Sequence, residues 1–131
     1  MLNYTNIDQS NHLKELGLNP ETADFVYMFL GCSMYFQKDT NTNCIFKLRT
    51  KYDARASRDK DNIPCWSVGA LMKIIPKKND STPALYYGDY SGEDFINKWF
   101  CSCGENCCGG DSPLDACYNL VVYLLENGYL K

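Results

Sequence analysis

The segment from Ser112 to Gly128 constrains the fold more than any other, because it reads as one helix with both ends written into the sequence. Ser112 can cap it, Pro113 suits the first helical position, and Asp115 completes a capping-box variant. Leu114, Cys117, Val121, Leu124 and Leu125 form one apolar stripe, which Tyr118 and Tyr123 widen, and Gly128 closes the helix. A face this broad has to be buried, so the rest of the chain must supply a core against it.

Two more helix starts are legible upstream. Thr5-Asn6-Ile7-Asp8 has the form of a capping box, with Thr5 as the cap and Asp8 in place of the usual Glu. Leu13 and Leu16 share a face of that helix, and Gly17 can take the left-handed position past its end. Ser67 can cap a short helix over Val68 to Ile75, which Pro76 ends. Asn19-Pro20-Glu21 opens a further helical turn over 20–24.

The stretch after that turn is ambiguous by periodicity, because Phe25 to Leu30 is apolar without interruption. Its aromatic and β-branched content predicts a strand. Cys44 to Arg49, Ala84 to Tyr87 and Phe95 to Cys101 read as three more strands. Polar turns over 37–43 and 77–83 separate these elements, Gly88 to Gly92 joins the last two strands, and Lys51 to Asn62 reads as a solvated loop. The order α–turn–β–β–α–β–β–α predicts an α+β fold over 1–131 as a single globular domain. Its core would be a small mixed, mainly antiparallel sheet of about four strands, packed by N-terminal, central and C-terminal helices.

Composition then narrows the function. Sixteen acids against thirteen bases give a net charge of −3, which argues against a phosphate-neutralising surface and hence against a nucleic-acid partner. No apolar run approaches the roughly 20 residues that cross a bilayer, and the first residues lack the basic and apolar regions of a signal peptide. The expectation is a cytoplasmic protein without a membrane partner. In such a compartment the eight cysteines read as thiols or metal ligands rather than bridges.

Four segments resemble a group of small, uncharacterised proteins of Bacteroidales phages and prophage-like elements. They are Gln9-Ser10 with Leu13 to Leu18; Pro20 to Asp24; Pro64 to Leu71, ending at Pro76; and Pro113 to Ala116, running on to Leu125-Glu126-Asn127-Gly128-Tyr129. The resemblance reaches both ends and the middle of the chain and implies a phage or bacterial cytoplasmic setting. It brings no activity, cofactor or catalytic residue with it, and the cysteine cluster lies outside the resembling segments.

That cluster, Cys101, Cys103, Cys107 and Cys108 among glycines, is the main concentration of chemistry. Four thiolates in eight residues could hold a tetrahedral zinc, although C-x-C-x3-C-C departs from the usual paired knuckles and adjacent cysteines point apart when extended. The plainer reading is a glycine-rich connection carrying reduced thiols, and a regulatory disulfide is a third. Cys32, Cys44, Cys65 or Cys117 could substitute as ligands.

Other candidates each carry a bland alternative. His12, the single histidine, follows Asp8 by four residues and could act as a base with an orienting acid; an exposed helical ion pair is the simpler account. Trp66 could anchor a partner, or it could pack as a staple on the helix it precedes. Tyr86, Tyr87 and Tyr90 could line a partner-binding face, or could alternate between core and solvent along a strand. Lys73, Lys77, Lys78, Arg49, Lys51, Arg55 and Arg58 could form a basic patch, but interspersed Asp53, Asp59 and Asp61 favour a solvated loop. No HExxH, P-loop, GxGxxG or GxSxG motif is present. The sequence therefore favours a non-enzymatic accessory protein that binds a host or phage protein, in host interaction or anti-defence, or binds itself as a homo-oligomer. The alternative is a small zinc-binding domain.

Overall fold

A computed structural model describes residues 3–32, 44–50, 62–76, 82–88 and 98–130. Helix α1 spans Ile7–Glu15, a 3-10 turn Pro20–Thr22, and strands β1 and β2 Phe25–Cys32 and Cys44–Thr50. Strand β3 (Ile63–Cys65) leads into helix α2 (Val68–Ile74). Strands β4 (Ala84–Gly88), β5 (Lys98–Cys103) and β6 (Asn106–Gly110) then precede helix α3 (Pro113–Glu126).

The α+β class and the three helices hold, but the single sheet of about four strands does not. The strands form two three-stranded antiparallel sheets, β2-β1-β3 and β4-β5-β6. Two short strands account for the difference. Ile63–Cys65 is only three residues long and contains a proline, and Asn106–Gly110 has the glycines and polar flank of a loop. The turn expected at 37–43, most of the loop over 51–62, most of the turn over 77–83 and of the connection over 88–92, and the start of a strand at 95–97 lie outside the described residues.

The apolar run after Asp24 is a strand, and its position explains why it lacks alternation. β1 is the central strand of its sheet, and Phe25 to Phe29 are all half-buried, so neither side of it is fully wet. The register slips between Phe29↔Phe46 and Gly31↔Ile45, leaving Leu30 as the extra residue of a bulge, turned out to solvent.

Local sequence accounts for the helix ends, with one correction. The cap of α1 is Asn6, not Thr5: the Asn6 side chain accepts from the Gln9 N–H, and the Gln9 side chain accepts in turn from the Asn6 N–H. Thr5 is taken up elsewhere. Its side chain is fully buried and its hydroxyl accepts from the Trp66 N–H at 3.1 Å and shares a hydrogen bond with Ser10 Oγ at 2.7 Å. Ser67 caps α2 through the Ala70 N–H, and Ser112 caps α3 through the Asp115 N–H, both as expected. Gly17 and Gly128 take positive φ of 92° and 74° at the helix ends.

One continuous cluster of buried side chains joins the three helices to the sheet of β4, β5 and β6. Leu13 and Leu18 contribute from the N-terminal third, Trp66, Leu71 and Ile75 from the middle, and Cys101 and Cys103 from β5. From α3 come Leu114, Cys117, Leu120, Val121 and Leu124, as its stripe requires.

Candidate functional site

The cysteine segment is a hairpin, not a loop. Cys103 pairs with Asn106 across a two-residue turn, Gly104-Glu105, in which Gly104 has φ 60°. Ser102 pairs with Cys107 and Cys101 with Cys108. Paired residues share a face and neighbours alternate, so Cys101, Cys103 and Cys108 stand on the side covered by α3, and Cys107 stands on the other.

The four thiols thus have different surroundings. Cys101 and Cys103 are buried, Cys108 is half-buried and Cys107 is exposed. Cys103 Sγ donates to the Pro76 carbonyl at 2.9 Å, and Cys107 Sγ lies 3.6 Å from Tyr86 Oη across the outer face. Burial pushes the Cys108 thiol up, and the neighbouring Cys107 and Cys101 add to the shift. Among the described residues, no three His, Cys, Asp or Glu side chains are gathered closely enough to hold a metal ion.

A grouping the sequence did not reveal lies beneath the hairpin. Met72 of α2, Cys101 of β5 and Cys117 of α3 bring three sulfurs together. Met72 Sδ is 3.7 Å from Cys101 Sγ and 3.5 Å from Cys117 Sγ, and the two thiols interact with each other. Hydrogen bonding to Cys117, reinforced by burial, holds the Cys101 thiol protonated well above its usual range. The same contact eases ionisation of Cys117. Periodicity gives each residue separately, Cys117 in the α3 stripe and Met72 among the apolar positions of α2. Only the packing of α2 on α3 brings them to Cys101.

A further buried thiol, Cys65, lies among polar groups of the core. Cys65 Sγ donates to the Thr5 carbonyl at 3.3 Å, and Tyr27 Oη donates to that same oxygen at 2.6 Å. Burial pushes the Cys65 thiol up, only partly offset by hydrogen bonds from Thr5 and Tyr27, and burial also raises the Tyr27 phenol.

The tyrosines divide as strand geometry demands. Tyr86 stacks on Phe100 on the outer face, with ring centres 5.7 Å apart, and Phe100 in turn covers Gly109. Tyr87 is on the opposite face, 54% exposed, with its ring held edge-on to Trp99 at 5.3 Å. The two therefore do not share one face, and Tyr90 lies outside the described residues. A different pair of exposed tyrosines, Tyr123 and Tyr129, meets near the C-terminal end of α3 with ring centres 6.5 Å apart.

The remaining candidates resolve toward structure. Trp66 is wholly buried, and its indole N–H donates to Thr22 Oγ1 at 2.9 Å, so it is a core side chain. His12 and Asp8 are neither of them buried, and the His12 ring faces Tyr118 at 6.3 Å. Of the seven bases that could form a patch, Lys73 is exposed on α2 and Arg49 half-buried on β2; Lys51, Arg55, Arg58, Lys77 and Lys78 lie outside the described residues.

A shallow cavity of about 290 Å³ opens beside the start of α2, lined by Thr22, Asp24, Ser67 and Lys73 among others. Its polar groups are mutually engaged. Asp24 accepts from both the backbone N–H and the hydroxyl of Ser67, and the Ser67 hydroxyl accepts from Ala70. Among the described residues no helix is long and apolar enough to cross a membrane. No protein-family model, curated protein or solved structure matches this chain.

Proposed function

We propose that the chain is a non-enzymatic accessory protein of a phage or mobile element that acts by binding another protein in the cytoplasm of a bacterial cell. The observation that carries this reading is Tyr87, more than half exposed yet fixed in orientation by its edge contact with Trp99. An aromatic ring already held in place loses little entropy on contact and offers a large area. The exposed Tyr123–Tyr129 pair supplies a second such feature.

The partner is a host or phage protein, or a second copy of the chain. Tyr87→Ala tests this directly, because the side chain lies mostly in solvent and its removal leaves the core alone. The full chain, immobilised and exposed to a Bacteroidales lysate, retains a defined protein that the Tyr87→Ala form does not. Light scattering reads self-association as a mass twice 15.0 kDa. Identical background capture by both forms together with a monomer mass overturns the reading.

A zinc-binding domain is the second reading, supported only by the register that sets Cys101, Cys103 and Cys108 on one face; they are not gathered into a site there, so binding would have to draw them together. Cys107 stands on the other face, so a tetrahedral site there takes its fourth ligand from elsewhere or turns the hairpin. Native mass spectrometry of reduced protein, purified without chelator, decides it by a mass excess of one zinc that unfolding releases.

A further inference from the structure

We propose that Cys101, Cys117 and Met72 form a binding site for a soft monovalent metal ion, cuprous copper being the probe, at the junction of β5, α3 and α2. Three observations meet there. The ligand set is two thiols and a thioether, the donors that select monovalent copper over harder cations. The sulfurs come from three different elements, so the fold and not the local sequence assembles them. Their spacing also fits. The two sulfur–sulfur distances to Met72 Sδ are 3.7 and 3.5 Å. Each of these distances is shorter than two metal–sulfur bonds of about 2.3 Å laid end to end, so one ion can touch the thioether and a thiol together.

The surroundings suit such an ion. Cys101 and Cys117 are completely buried, and Met72 is the member of the trio that reaches the surface, which gives an ion a way in past a flexible side chain. Cys101 and Cys117 belong to the buried core cluster and Met72 packs against it, so an ion held by the three is kept from bulk water. Binding is balanced without any redox step. One cuprous ion enters, both thiols ionise, two protons leave to solvent, and the Met72 thioether donates a lone pair.

This site differs from the zinc reading in its ion and in two of its three ligands, and it stands or falls independently of the protein-binding proposal. The test is an anaerobic titration of the reduced full chain with cuprous ion against a colorimetric cuprous chelator, with X-ray absorption on the loaded protein. The expected result is one ion per chain with three sulfur neighbours and two protons released. Met72→Leu keeps the side-chain volume and so the fold, and it weakens binding by about tenfold or more, since it removes a ligand. The Cys107→Ser/Cys108→Ser form keeps the wild-type affinity. Unchanged affinity in Met72→Leu, or binding lost in Cys107→Ser/Cys108→Ser, overturns the proposal. So does a failure to compete with the chelator. Cys117→Ser is expected to abolish tight binding, and because it could fail to fold, Met72→Leu decides the question by itself.

Discussion

A Cβ added at Gly110 would stand 2.6 Å from the backbone nitrogen of Ala116 and 2.8 Å from the Asp115 carbonyl carbon. The last residue of β6 thus lies directly on the first turn of α3, and both obstructing atoms belong to rigid backbone. Gly110→Ala is expected to lower stability by about 3 kcal/mol, the upper part of the range for overpacking. Gly109→Ala is a natural control, because its nearest obstacle is the Phe100 ring at 3.2 Å, which can shift. Its cost should stay below about 1 kcal/mol. Urea denaturation of the two variants side by side checks the contrast.

Thr5→Val keeps the shape of the side chain and removes its hydroxyl. The Trp66 N–H and Ser10 Oγ then lose their buried partner. The expected loss is about 2 kcal/mol, chiefly the cost of an unsatisfied buried donor. Ser10→Ala added to Thr5→Val should cost little more, since the pair already acts as one unit. A double-mutant cycle by thermal or urea unfolding measures that coupling.

The six thiols whose environments are described separate cleanly by access. Cys107 is exposed, whereas Cys65, Cys101, Cys103 and Cys117 are buried. Brief alkylation of the reduced native protein should label Cys107 ahead of these four, which react only when the core opens. Peptide mass spectrometry after timed quenching gives the order directly. Early labelling of Cys101 or Cys117 would contradict the core placement of that junction.

Stability should fall on the alkaline side. Cys65 and Cys108 have thiols raised by burial in the folded protein. Above the ordinary thiol range of about 8.5 the unfolded chain ionises while the folded chain does not, so the unfolded state gains. The contribution of these groups is fully present below about pH 8.5 and is lost as pH rises from there toward their folded values. Thermal unfolding under reducing conditions should show a decline that begins near pH 8 to 9, about where the free thiol titrates, and Cys65→Ala should show a shallower one.

Much of the fold was legible because helix ends are local events. Ser67, Ser112, Pro113 and Gly128 act within a few residues of themselves, and each does what its chemistry indicates. Thr5 shows where that reasoning stops. The Thr5–Asp8 spacing imitates a capping box, but Thr5 is bonded to Trp66, 61 positions away, and Asn6, the stronger cap residue, closes the box with Gln9. The cysteine hairpin was missed for a related reason. Gly109 and Gly110 look like loop residues, but Gly110 is required by α3, against which the strand packs, and Gly109 lies under the Phe100 ring. The sulfur junction was beyond reach for the same cause, since Met72 and Cys117 are 45 positions apart.

The N-terminal segment has a consequence for how the protein is made. Asn3 accepts from Val68, Tyr4 bridges Ser67, and Thr5 exchanges hydrogen bonds with Trp66. All of these partners are synthesised long after the segment that needs them. A nascent chain emerging from the ribosome therefore carries Thr5 and the adjoining helix without their docking surface until the residues around Val68 have also emerged. Contacts of such long sequence separation form late and slow the folding reaction. Through that interval the apolar stretch Phe25 to Leu30 also waits for β3, one of its two partner strands, and an unpaired apolar strand edge is prone to aggregate.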